Sequence, residues 1–204
     1  MTDKPSYIGL LNAVALGERR AAVYLNCWAA VTTDDDVKAM LRTISLREAE
    51  HGLAFEKRLD ELGFGLIDND DPGQADKLAI ASSTELSDRE KLERLGLCRR
   101  PTNGVADVFD TFFENKDLDP VTGGLLGRYI AEERDTGRRF AACHAALSAA
   151  DGSASRTAKD KGGDATPPSG KGTMQDLSDQ LAVTGQQLVG LARSIGEAIA
   201  SAAR

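Results

Sequence analysis

Apolar and small residues recur three and four apart between residues 6 and 31, at Leu11, Val14, Ala15, Ala22, Leu25 and Ala29. That spacing predicts an amphipathic helix. Glu18 falls on the same stripe. "TTDDD" at 32–36 supplies capping side chains, a stop and a fresh start. A second helix is predicted from about Asp36 to Leu62, with the stripe Val37, Leu41, Ile44, Glu48, His51, Phe55, Leu59 and Leu62. Two polar members sit in the middle of that apolar seam. A buried carboxylate without a partner costs several kcal/mol, so Glu48 demands compensation.

"GFGLIDNDDPG" ends the second helix as a loop. Residues 75–97 predict a further helix, with "SDREKLERLG" as a solvated charged face. Pro101 and Gly104 break the chain, and a shorter helix follows through "VADVFDTFFENKD". Pro120 opens a long helix to about Ala150, striped by Leu126, Tyr129, Glu133, Thr136, Phe140, Cys143 and Leu147. Again a carboxylate interrupts the seam. Residues 151–173 are rich in Gly, Ser, Pro, Lys and Asp without an apolar period and read as a flexible linker. Beyond it, Met174, Leu177, Leu181, Leu188, Leu191, Ile195 and Ala198 predict an amphipathic helix over 174–204. Gly185, Gly190 and Gly196 weaken that helix in isolation, so it is expected to fold against something.

Composition agrees with an all-α reading: 41% of the 204 residues are hydrophobic but only 5% aromatic. The net charge of −7 excludes a general nucleic-acid binder, which needs a cationic surface, and suits a protein that handles cations. Three widely spaced cysteines, with no C-x-x-C pair, exclude a zinc ribbon or a rubredoxin-type iron site. With no leader-like start and no run of about 18 apolar residues, a cytoplasmic protein without a membrane span is expected.

The two long helices echo one another. Moving from Glu48 to Glu133, an offset of 85 residues, lays Leu41, Ile44, Glu48, Gly52, Phe55 and Leu62 over Leu126, Tyr129, Glu133, Gly137, Phe140 and Leu147. Identities in phase with both stripes suggest a duplicated helical hairpin. The echo puts Glu133 on the seam and leaves Glu132 and Asp135 on a more polar face.

A Glu on a first helix, Glu48-x-x-His51 on a second and an inward Glu133 on the last resembles the ferritin-like superfamily in its rubrerythrin-type form, across roughly residues 6–150. The resemblance implies an antiparallel four-helix bundle built from two hairpins (1–150), followed by the linker (151–173) and the C-terminal helix (174–204). It implies a metal site of Glu18, Glu48, His51 and Glu133 holding one or two iron ions, or manganese, and oxidising Fe(II) or reducing peroxide. Residues i and i+3 share a helix face, so Glu48 and His51 can address one point. The second hairpin departs from the family pattern: Glu133 is followed by Thr136 where a histidine is expected. His144 lies about 16 Å farther along the helix and cannot replace it. The duplication places Asn103 opposite Glu18, with Asp107, Asp110 and Glu114 as substitutes only in a slipped register. One metal position is therefore expected intact and the second crippled.

Each feature has a plainer reading. Arg20, Arg47 or Arg134 could neutralise the inward carboxylates without metal. Tyr129 reads as a core tyrosine, Trp28 as packing, and Cys27 and Cys143 as small buried hydrophobes. "GGLLG" lacks the lysine and spacing of a phosphate loop. The competing function is a non-enzymatic ferritin-like scaffold or adaptor whose tethered C-terminal helix docks to a partner or protein shell. Folding back on the bundle and pairing with a sister chain as a homo-oligomer are its alternatives.

Overall fold

The structure, a computed structural model, describes residues 4–98 and 116–159. Among these residues it is entirely helical: α1 is Ile8–Val31, α2 Asp35–Glu61, α3 Gln74–Ser82, α4 Asp88–Arg94 and α5 Pro120–Lys159. The helix expected through 105–117, the third-helix candidates Asn103, Asp107, Asp110 and Glu114, and the segment 174–204 lie outside the described residues.

The α1–α2 connection follows the chemistry of its sequence. Asp34 caps α2 by accepting from the backbone N–H groups of Asp36 and Val37, and Asp35 and Asp36 sit where the helix dipole favours negative charge. α2 and α1 run antiparallel and in close contact. The Ser45 hydroxyl donates to the Ala22 carbonyl, and Arg19 pairs with Glu56. At Gly52 the approach is so tight that an added Cβ would lie 2.6 Å from Arg19 Cγ and 3.2 Å from the Ala15 carbonyl oxygen. α2 ends at Gly63, whose φ of +81° suits glycine. The N–H groups of Gly63 and Phe64 return to the carbonyls of Asp60 and Leu59, closing a Schellman turn.

The loop that follows is strapped to α1. The Asn12 amide both donates to and accepts from the backbone of Ile67, and Arg20 reaches Asp68 and the Asn69 carbonyl. The single helix expected over 75–97 is two. Residues 83–87 leave the helical path, and α4 restarts on a capping box in which Ser87 and Glu90 satisfy each other's backbone N–H groups. The reading of "SDREKLERLG" as a solvated face is also corrected. Lys91 and Leu92 are buried, and Asp88 accepts from the Trp28 indole N–H and the Thr32 hydroxyl, both at 2.6 Å. Buried donors needed an acceptor, and α4 is turned inward to provide it.

α5 runs antiparallel to α2, as the pairings Arg58–Thr122, His51–Glu132 and Arg47–Thr136 show. It continues past Ala150, the expected end, to Lys159: the Ala- and Ser-rich sequence there offers no capping stop. Two apolar clusters form the core. One gathers Leu11, Ala15, Phe55, Leu59, Leu126 and Ile130; the other gathers Leu25, Trp28, Leu41, Ile44, Leu92 and Phe140. Cys27 and Cys143 are half-buried rather than buried. Between the clusters, at mid-height on α1, α2 and α5, lies a polar layer.

Candidate metal centre

α2 carries Glu48 and His51 into that layer from adjacent turns, and both side chains are 4% exposed. α1 contributes Glu18 and α5 contributes Glu133. One ligand atom from each of the four lies within 4.8 Å of the other three. The structure thus brings together all four residues that the seam pattern singled out.

Their contacts are unusual for buried polar groups. His51 Nδ1 stands 3.6 Å from Glu48 Oε2 and 3.5 Å from Glu133 Oε1, beyond hydrogen-bond reach. These three atoms are buried without any hydrogen-bond partner. Each such atom costs about 1–3 kcal/mol, and proteins seldom leave one unsatisfied. With Glu18 the three atoms form a cluster of oxygen and imidazole donors that could hold a small cation.

The proton balance tells the same story. Burial, then the neighbouring Glu48 and Glu133 carboxylates, pushes Glu18 up to about 10. Glu133 is also raised, first by burial. Burial opposes the charged form of His51, but Glu133, Glu48 and Glu132 outweigh it and push the imidazole up to about 10. Glu48 is raised by burial but held low by His51 and Glu18. Without a metal ion, extra protons offset the negative charge of this layer.

The surroundings hold the four groups in place. His51 Nε2 donates to Glu132 at 2.6 Å, which turns Nδ1 toward the carboxylates. Tyr129 donates to Glu18 Oε1 at 2.7 Å, and its ring meets those of His51 and Phe55 edge-on at 5.1 and 5.2 Å. Burial, then the charge of Glu18, raises the Tyr129 hydroxyl well above the usual tyrosine range, so it remains a donor.

Glu132 keeps the polar face expected of it, its Oε1 accepting from Arg128 Nε at 3.1 Å, but its Oε2 also orients the histidine. A flank position three residues after buried Tyr129 was the available signal. The arginine explanation fails for Arg20 and Arg47. Arg20 pairs with Asp68. Arg47 donates to Asp135, the Glu132 carbonyl and the Thr136 hydroxyl at 2.9 Å. Thr136, where the family pattern has a second histidine, is thus engaged with a guanidinium. His144 faces Glu93, away from this layer. No helix among the described residues is long and apolar enough to cross a membrane.

Compared with known proteins, the chain matches no family model, no curated protein and no solved structure. The reading of the centre rests on its own geometry.

Proposed function

We propose that the protein binds one divalent transition-metal ion, iron or manganese, through Glu18, Glu48, His51 and Glu133, at the middle of a ferritin-like helical fold. The observation that carries this reading is the convergence of three buried atoms that make no hydrogen bond, Glu48 Oε2, His51 Nδ1 and Glu133 Oε1, the imidazole nitrogen standing within ion-pair distance of both carboxylates. A harder cation such as Mg²⁺ favours an all-oxygen shell, whereas an imidazole among carboxylates suits iron or manganese. The bound ion would supply Lewis-acid and one-electron chemistry toward dioxygen or peroxide.

The chain's own residues do the remaining work. Glu132 fixes the His51 ring and keeps Nδ1 directed inward. Tyr129 holds one oxygen of Glu18 and leaves the other to a ligand. The apolar clusters flank the layer above and below. A single ion is favoured over two because Thr136 is not a ligand type for these metals and is held by Arg47.

The test is metal analysis by mass spectrometry on untagged, full-length protein grown with iron or manganese and purified without chelator. About one ion per chain is expected, and His51→Ala should lose at least nine-tenths of it. Equal trace amounts in both proteins would refute the reading.

A further inference from the structure

One oxygen of Glu18 is already committed within the chain. Glu18 Oε1 accepts from the Tyr129 hydroxyl at 2.7 Å, and a short bond to a carboxylate is stronger than one between neutral groups. The phenol has little room to turn away. Tyr129 is 7% exposed, and its ring meets His51 edge-on at 5.1 Å and Phe55 edge-on at 5.2 Å. His51 and Phe55 stand one turn apart on α2, whereas Tyr129 belongs to α5. The packing of two helices therefore fixes where the hydroxyl meets a carboxylate carried by a third.

We infer, on the single-ion reading above, that Tyr129 determines which divalent cation the centre accepts: it limits Glu18 to one ligand oxygen and so selects manganese or iron over calcium. Calcium takes about six to eight oxygen ligands, often both oxygens of one carboxylate. Glu18, Glu48, His51 and Glu133 bring one imidazole among three carboxylates, so a calcium ion would need second oxygens from those carboxylates. Tyr129 withholds one of them. Manganese and iron accept an imidazole nitrogen and need fewer donors. Selection between divalent cations follows from ligand number and flexibility, and the Tyr129 hydroxyl reduces both. Tyr129→Phe keeps the ring and both edge contacts and removes only the bond to Glu18 Oε1.

The test is competition against a fluorescent chelator, run separately with Mn²⁺ and Ca²⁺ on full-length protein stripped of metal. The wild type should prefer Mn²⁺. Tyr129→Phe should narrow that preference by about tenfold or more, the size expected for a hydrogen bond to a charged group, chiefly through tighter Ca²⁺ binding. Phe55→Leu removes one of the ring contacts but keeps the hydroxyl, and should leave the preference unchanged. A preference unaltered by Tyr129→Phe, including loss of both ions in the same proportion, overturns the assignment and leaves the single-ion reading standing. So does equal narrowing by Phe55→Leu. A wild type that holds Ca²⁺ as tightly as Mn²⁺ overturns it without any variant. A wild type that binds neither ion overturns the metal centre itself, and this role of Tyr129 with it.

Discussion

Two acidic clusters touch α5, and their difference separates structure from function. At the helix start, Asp119 accepts from the Tyr7 hydroxyl (2.7 Å), the Thr122 hydroxyl (2.6 Å), the N–H groups of Val121 and Thr122, and Arg58 Nη2 (2.9 Å). Every lone pair has a donor. Thirteen to fourteen residues later, Glu132 and Glu133 face His51 with Glu48 and Glu18, and three polar atoms there have no donor or acceptor. Asp119 joins α1, α2 and α5 and is complete within the chain. The Glu48 layer joins the same three helices and is incomplete. A cluster that the protein satisfies by itself stabilises the fold; one that the protein leaves unsatisfied stores free energy for a ligand.

The sharpest way to break this contrast is to supply the cation. With free iron or manganese a hundredfold above its dissociation constant, binding stabilises the folded chain by about 2.7 kcal/mol. For a chain of this size that is a rise in Tm of roughly 5–10 °C, measurable by calorimetry against a chelator-treated sample. His51→Ala should abolish the rise. The same addition should not rescue Asp119→Ala, which is expected to cost about 2 kcal/mol through a lost cap and a lost charge-assisted bond.

Asp119 also predicts an acid response. Burial would raise its carboxyl, but bonds from Thr122 and Tyr7, then Arg58, hold it well below the usual carboxylate range. A lowered folded-state value means that its contribution is present above about pH 4 and is lost as pH falls below that. Asp119→Ala should therefore flatten the loss of urea stability between pH 4 and pH 2, whereas unchanged acid sensitivity would show that the anchor is dispensable.

The buried polar layer was legible in the sequence because its members lie on uninterrupted stripes. Val37 through Phe55 keep a strict three–four alternation, so the inward direction of Glu48 and His51 followed from phase alone. Glu132 was not legible in that way: it sits beside the stripe, and only the lateral position of α2 brings His51 within reach. Asp88 and Lys91 were missed for a related reason, since the donors on Trp28 and Thr32 that draw α4 inward belong to another helix. The break at residues 83–87 was written locally, in the Ser87-x-x-Glu90 box, but the surrounding helical spacing obscured it. Periodicity gives the face of each helix; the contacts between helices decide what a flank residue does.

Glu132 sharpens the comparison from the side of the centre. It is not a ligand but the acceptor for His51 Nε2, and removing such a support from a metal-bound histidine lowers affinity about tenfold or more. Glu132→Gln keeps the shape and weakens the hydrogen bond. Competition against a fluorescent chelator should show metal affinity reduced by about tenfold, with Tm of the metal-free protein changed by less than about 2 °C. An equal loss of stability and affinity would place Glu132 with Asp119, as a structural group.

The smallest effect concerns Glu18 without metal, and its sign opposes ordinary expectation. Most substitutions of buried residues destabilise, yet Glu18→Gln should stabilise the metal-free chain. In the folded state burial and the Glu48 carboxylate push Glu18 up to about 10, whereas the unfolded chain ionises near the ordinary value of 4.5. A raised folded-state value contributes stability below about pH 4.5 that is lost progressively up to about pH 10. Glutamine resembles the protonated acid, keeps an oxygen for the Tyr129 hydroxyl, and has no ionised form for the unfolded state to favour. In chelator, its advantage over the wild type should be absent at pH 4, about 1 kcal/mol or more at pH 7, and larger at pH 9, by urea denaturation. The same variant should bind metal poorly, because a neutral amide cannot replace the carboxylate. A variant that loses stability at pH 7 and keeps its metal would reverse both signs, and the contrast with Asp119 would then have to be abandoned.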